Sequence, residues 1–222
     1  MHLEETHLIV QLFRDILDYV APGVKIITET NVPHKDNISY FGDGNNEAHL
    51  VYQFPLPPLV LYTFIRQSSK VFNDWAKTIE PFSDETTFFN FLASHDGIGL
   101  NPIRGIVDEE EIDELVEITK RRGGLVSYKF NPDGSKRPYE LNISYFNALS
   151  DHEEDDEIKI RKFINAYSII LALQGIPGIY VHSILGSQNY YEGVKITGQN
   201  RTINREKFDY YKVKEEIKDE KA

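Results

Sequence analysis

The 222-residue chain has no cysteine, one methionine and one tryptophan. Without thiols there is no disulfide frame, cysteine nucleophile or thiolate metal site, and a reducing cytoplasm is the expected setting. Basic residues are the scarcer charge, 24 against 35 aspartates and glutamates, for a net charge of -11. They are also scattered. This argues against a nucleic-acid surface, which needs clustered cations that displace phosphate counterions. Long apolar runs are missing as well: nothing approaches the roughly 20 residues of a membrane span, and the first residues lack the basic-then-apolar pattern of a secretion signal. No G-x-G-x-x-G follows a strand, no Walker lysine is present and no G-x-S-x-G occurs, which disfavours nucleotide binding and serine hydrolysis. His2 and His7 lie five apart, off a common helical face, so they make no histidine-pair metal site.

What is there suffices for a sizeable core, with 41% apolar and 12% aromatic residues. Leu8, Ile9, Leu12, Phe13, Ile16, Leu17 and Val20 recur at helical spacing, and Pro22-Gly23 stops that helix before a strand at Val24–Thr28. A second strand is expected at His49–Gln53, a helix after Pro58 and a third strand at Thr87–Leu92. Gly97 to about Ser150 reads as a long insertion. It holds a helix through Ile112, Leu115, Val116 and Thr119, then two strands around the turn Asn131-Pro132-Asp133-Gly134. The acidic run "SDHEEDDE" reads as the solvated N-capping entry of a helix whose Ile160, Phe163, Ile164, Tyr167 and Leu171 share a face, rather than as a metal site. Gly175-Ile176-Pro177 is expected to end that helix, "GIYVHS" to form a fourth strand, and a charged helix to close the chain from about Arg205. Trp75 is expected in the core. Four alternations of strand and helix call for an α/β fold with a parallel sheet.

Two of these strands run into carboxylates: "GVKIITE" reaches Glu29, and "TTFFNFLASHD" reaches His95 and Asp96. Paired carboxylates flanking a bond are what glycosidic cleavage needs, one to protonate the leaving oxygen and another to stabilise or capture the positively charged sugar. In a (β/α) barrel, Glu29 and Asp96 would sit two strands apart on the carboxyl-terminal rim, where such barrels do chemistry. The bland alternative is that each carboxylate caps the following helix, although the loops that follow are long for simple caps.

Longer stretches resemble the α-amylase-like glycoside hydrolases, in their sucrose phosphorylase and glucosylglycerate phosphorylase branch. "ITETNVPHKDNISYFGDGNNEAHLVYQFPLPPLVL" is similar to the fifth-strand segment of that family, "FFNFLASHDGIG" to the seventh, and "GIPGIYVHSILGSQN" with "TGQNRTINREKFD" to the eighth strand and its subsite loop. The resemblance implies a partial (β/α)8 barrel: strands five to eight within residues 1–209, an insertion at 97–150 after strand seven, and a charged helix or tail at 210–222. It implies Glu29 as acid/base, Asp96 as the transition-state carboxylate, and His95, Asn204 and Arg205 as substrate-binding residues. Sugar and inorganic phosphate would be the substrates, with no metal or cofactor. The family's nucleophilic aspartate, at the end of strand four, has no counterpart here. The resemblance therefore implies a fragment of a retaining α-glucoside phosphorylase, or alternatively a non-catalytic half-barrel that binds sugar or packs against a partner. Open sheet edges at "VKIIT" and "GIYVHS" lead us to expect a homodimer or other self-association.

Overall fold

A computed structural model describes residues 3–80 and 82–218. The chain runs α1 (Glu4–Val20), β1 (Ile27–Thr28), α2 (His34–Ile38), β2 (Leu50–Tyr52), α3 (Leu56–Arg66), α4 (Lys70–Ala76) and β3 (Thr87–Asn90). The insertion follows as β4 (Ile98–Gly99), α5 (Glu109–Arg121), β5 (Leu125–Phe130), β6 (Lys136–Asn142) and α6 (Tyr145–Leu149). Next come α7 (Asp156–Ala172), β7 (Ile176–Pro177), α8 (Val181–Ile184), α9 (Tyr191–Thr197) and α10 (Tyr210–Glu216). β1, β2, β3 and β7 form a parallel sheet in that order, with Thr28 beside Val51 and Val51 beside Phe88. The insertion makes its own antiparallel sheet, β4-β6-β5. Among the described residues no helix is long and apolar enough to cross a membrane.

The main core lies between α3 and the insertion. Leu56, Leu59, Val60 and Leu61 of α3 pack with Leu92, Ile98, Ile112, Leu115 and Leu141, all buried, so the insertion shares one core with the parallel sheet. Pro57 and Pro58 sit in the first turn of α3, where a missing N–H costs no helical bond. Trp75 is buried against Phe72 as expected. Asp155 caps α7 by accepting from the Glu157 N–H, which bears out the capping reading of the acidic run.

Several expectations are corrected. The strands are shorter than their apolar runs: β1 keeps only Ile27 and Thr28, because as an edge strand it has a partner on one side alone. The fourth strand is Ile176–Pro177 and not "GIYVHS". Gly175, at φ +136°, lets the backbone approach Asn90, whose side-chain amide donates to the Gln174 carbonyl at 3.0 Å. Pro177 is tolerated because β7 is also an edge. Val181–Ile184 is helical instead. On α7 the buried stripe is Ala166, Tyr167 and Ile170, while Ile160, Ile164 and Leu171 are exposed. The last helix starts at Tyr210 and not near Arg205, which ends a short 3-10 turn. His2 and the last residues of the 210–222 tail lie outside the described residues.

The largest departure is α1. The helix forms, but it is turned inside out. Its polar stripe faces the protein: His7 Nδ1 lies 2.7 Å from Glu47 Oε2, Gln11 donates to Glu47 Oε1 at 3.0 Å, and buried Arg14 donates to the Glu47 carbonyl at 3.0 Å. Leu8, Ile9, Leu12, Phe13 and Ile16 point away, each about half exposed.

Three histidines, His49 and His182 buried and His34 half-buried, give the fold a pH dependence. Burial holds His34, His49 and His182 below their ordinary value, and the Arg14 and Lys25 charges push His49 the same way. His49 Nδ1 accepts the Ile26 N–H at 3.1 Å, tying β1 to β2, and must be neutral to do so. Unfolded, the three imidazoles bind protons at about pH 6.5; folded, only at lower pH. Their stability contribution is thus complete above about pH 6.5 and is lost as the pH falls through the folded values. The urea midpoint should fall from pH 7 towards pH 5. His49→Gln, whose amide oxygen still accepts from Ile26, should flatten part of that fall.

Candidate active site at the carboxyl-terminal rim

Because β1, β2 and β3 are parallel and in register, the residues that leave them emerge on one rim. Glu29 follows β1 directly, and Asp96 lies on the loop after β3. Both line a cavity of about 170 Å³ together with Asn31, Phe54, Tyr139, Glu140, Arg201 and Asn204. The same-rim expectation therefore holds in the geometry. Glu29 is exposed to solvent, and Asp96 is half-buried.

A two-arginine clamp holds Asp96. Its Oδ1 accepts from Arg205 at 2.8 Å and pairs with Arg201 Nη1 at 2.9 Å. The loop itself is pinned by Asn204, whose side-chain amide donates to the Ser94 and Asp96 carbonyls at 3.0 Å each, and by Arg205 Nε on the His95 carbonyl. His95 turns elsewhere. Its exposed ring borders an adjacent open recess with Tyr52, Phe89, Phe91 and Tyr180, and its Nε2 is 3.6 Å from Asp96 Oδ1. So the structure gathers Glu29, Asp96 and Asn204 around one cavity, sets Arg205 against Asp96, and leaves His95 at the border.

Sequence reasoning missed Glu140 and Arg201. Glu140 on β6 is buried and accepts from Arg201 through both oxygens, at 3.0 and 2.6 Å, and from Asn142 at 2.6 Å. This pairing raises the Arg201 guanidinium above its already high ordinary value. Arg201 thus bridges the insertion sheet to the Asp96 loop. A bulge helps: the β5–β6 register shifts at Ser127/Tyr128, leaving Tyr139 as the extra residue on β6, and Tyr139 and Glu140 consequently both line the cavity. Pro138, inside an otherwise regular strand, was the available signal.

The closeness of the two sheets depends on Gly97. A Cβ there would lie 2.5 Å from the Leu141 carbonyl and 2.7 Å from Glu140 Cγ. Gly97→Ala should cost about 1–3 kcal/mol in urea unfolding and loosen the Glu140–Arg201 pair.

The cavity is rich in acceptors. Asn31 Oδ1 and Asn204 Oδ1 are buried without a hydrogen-bond partner, beside the carboxylates of Glu29 and Asp96, while the Arg201 and Arg205 donors are already engaged. Such a cavity suits a neutral ligand with many hydroxyl donors.

No family model matches the chain. Over 220 residues it is 55% identical to glucosylglycerate phosphorylase of Escherichia coli (strain K12), covering 99% of this chain and 39% of that relative. It is 30% identical over 173 residues to sucrose 6(F)-phosphate phosphorylase of Thermoanaerobacterium thermosaccharolyticum, covering 76% of this chain and 33% of the relative. The crystal structure of a sucrose 6F-phosphate phosphorylase from Thermoanaerobacter thermosaccharolyticum superposes with a TM-score of 0.73 at 25% identity, over 93% of this chain and 41% of that one. The chain thus spans a third to about two fifths of the length of these proteins, and it is a homologue of the glucosylglycerate and sucrose phosphorylases of the α-amylase-like superfamily.

Proposed function

We propose that the chain is the C-terminal half of the catalytic barrel of a retaining α-glucoside phosphorylase, comprising strands five to eight with the insertion after strand seven. The observation that carries this is the meeting of Glu29 and Asp96 in one acceptor-rich cavity at the rim of a parallel sheet. Glu29 protonates the departing oxygen of the glucoside and later takes the proton of the attacking phosphate. Asp96, fixed by its arginine clamp, stabilises the positive charge that develops on the sugar, and His95, Asn204 and Arg205 border the sugar. The product is α-glucose 1-phosphate, and no metal or cofactor takes part. The covalent step needs another carboxylate about 5–5.5 Å from the acid. Glu140 does not serve, because both its oxygens are held by Arg201. The resemblance assigns the nucleophile to an aspartate at the end of strand four, a segment outside these 222 residues. In its absence the exposed apolar rims are covered by self-association.

The test is to incubate the pure protein with glucosylglycerate or sucrose plus phosphate and assay glucose 1-phosphate. The expected result is no release alone, and release when a polypeptide carrying the remaining part of a relative's barrel is added. Glu29→Gln should lower the restored rate about 10²–10⁴-fold. Release by the chain alone that vanishes in Glu29→Gln would place the nucleophile within these 222 residues. No release on complementation would favour the sugar-binding or packing role.

A further inference from the structure

A second cavity, of about 180 Å³ and so about as large as the first, lies between α6, the entry to α7 and the loop after α8. The two share no lining residue: of the neighbours Tyr145 and Phe146 on α6, one lines each. The wall is held in place. Asn147 Oδ1 accepts from the Asn189 N–H at 2.9 Å and from the Ser144 hydroxyl at 2.7 Å, and the Asn147 amide donates to Gln188 Oε1 at 2.8 Å, which leaves the Gln188 NH2 as a donor. Ser150 is only 5% exposed, and its Oγ is buried on this wall without a hydrogen-bond partner. A buried hydroxyl with nothing to bond is uncommon and costs the fold, and α7 makes no use of it because Asp155 is the cap. The charges on the wall cancel. Asp151 pairs with Arg122 at 2.8 Å and Asp156 with Lys159 at 2.9 Å, each through one oxygen, so each carboxylate keeps its second oxygen as an acceptor. The Arg122 bond holds the Asp151 carboxyl below its ordinary value, so it remains an acceptor at neutral pH.

We propose that this cavity is a second, non-catalytic binding site for one pyranose ring of a neutral sugar. A sugar hydroxyl both donates and accepts, and the wall offers both: the second oxygens of Asp151 and Asp156 accept, the Gln188 amide donates, and the Ser150 hydroxyl does either. The half-buried ring of Phe146, packed edge-on with Phe163 at 5.3 Å between centres, supplies an apolar surface for the C–H face of the sugar. Cancelled charge disfavours an ionic ligand. A carboxylate meets two aspartates whose cations are already engaged, and an ammonium finds those aspartates already neutralised. The site needs neither Glu29 nor Asp96, so it does not rest on the catalytic reading.

The test is to titrate the full chain with D-glucose, D-glucuronate and D-glucosamine at millimolar concentration while following backbone amides by NMR. Glucose should shift Phe146, Ser150, Asp151 and Gln188, and bind there more tightly than either charged sugar. Ser150→Ala and Gln188→Ala should each weaken it about fivefold, the effect of losing one hydrogen bond. Ser150→Ala should leave the urea midpoint of the sugar-free protein unchanged or higher, because it removes a hydroxyl that the fold does not bond, so weaker binding is separable from loss of fold. The amides of Glu29 and Asp96 report the first cavity in the same spectra. Glucose that moves only those, or that binds at the second cavity indifferently to both substitutions, overturns the proposal. So does tighter binding of glucuronate or glucosamine, which would make the cavity an ion site. Glucose binding here without glucose 1-phosphate formation in the completed barrel would sink the catalytic reading and leave the second site standing. No shift at these four residues in an active completed barrel would do the reverse.

Discussion

Arg201→Met should lower the unfolding free energy by about 3 kcal/mol, read as a shift of the urea midpoint at unchanged slope. Glu140 is the reason. It is 2% exposed, and without Arg201 it keeps only the Asn142 amide as a donor. Breaking a buried ion pair from one side costs about 3–5 kcal/mol, because the remaining charge is left in a poor solvent. The low end applies because the Arg201 side chain is itself 41% exposed, so water enters where it was. Asp96 loses one of its two arginines at the same time but keeps Arg205. The double variant Arg201→Met/Glu140→Leu should recover most of the loss, since removing both charges also removes the desolvation penalty. A double variant as unstable as the single would mean that Arg201 acts through packing and not through its charge.

The parts of this fold visible in the sequence are those specified by short-range pattern. The parallel order of the sheet followed from the alternation of elements, and Glu29 and Asp96 stood out because each follows an apolar run in a stretch similar to a known family. Burial direction was less visible. The periodicity of α1 correctly gave a helix, yet periodicity says only that two faces differ; here the His7, Gln11 and Arg14 stripe is the one held, by Glu47. The displacement of the fourth strand has a similar origin. Two residues of β7 satisfy their backbone against β3, and nothing local distinguishes Ile176–Pro177 from the apolar residues just after it. Glu140 and Arg201 meet across a long stretch of chain, a pairing no local pattern encodes.

Self-association is the remaining expected result: at micromolar concentration, light scattering should give a mass near twice 25.7 kDa. The outward stripe of α1 is the reason to expect it. Leu8, Leu12 and Phe13 are each more than 50% exposed, and Ile27 on the edge strand β1 is about half exposed. Burying such a side chain fully contributes about 1.5–3 kcal/mol, so half of that over five or six residues comes to roughly 5 kcal/mol. That is comparable to the whole stability of a small domain, about 5–15 kcal/mol. A two-fold arrangement that lays one α1 against another makes the patch its own complement and closes the assembly at two copies. The second apolar rim, at Ile176, Val181 and Ile184 beside β7, is chemically similar but is broken by the short α8, so it presents no continuous stripe. The α1 face is therefore expected to dominate. Leu12→Lys with Phe13→Glu should give a monomer whose urea midpoint at low protein concentration is unchanged or higher, because neither side chain contributes to the monomer core. A double variant that stays dimeric would move the interface to the β7 rim. A wild-type protein that scatters as a single chain up to high concentration would show that the α1 face tolerates water, and the self-association proposal would fall with it.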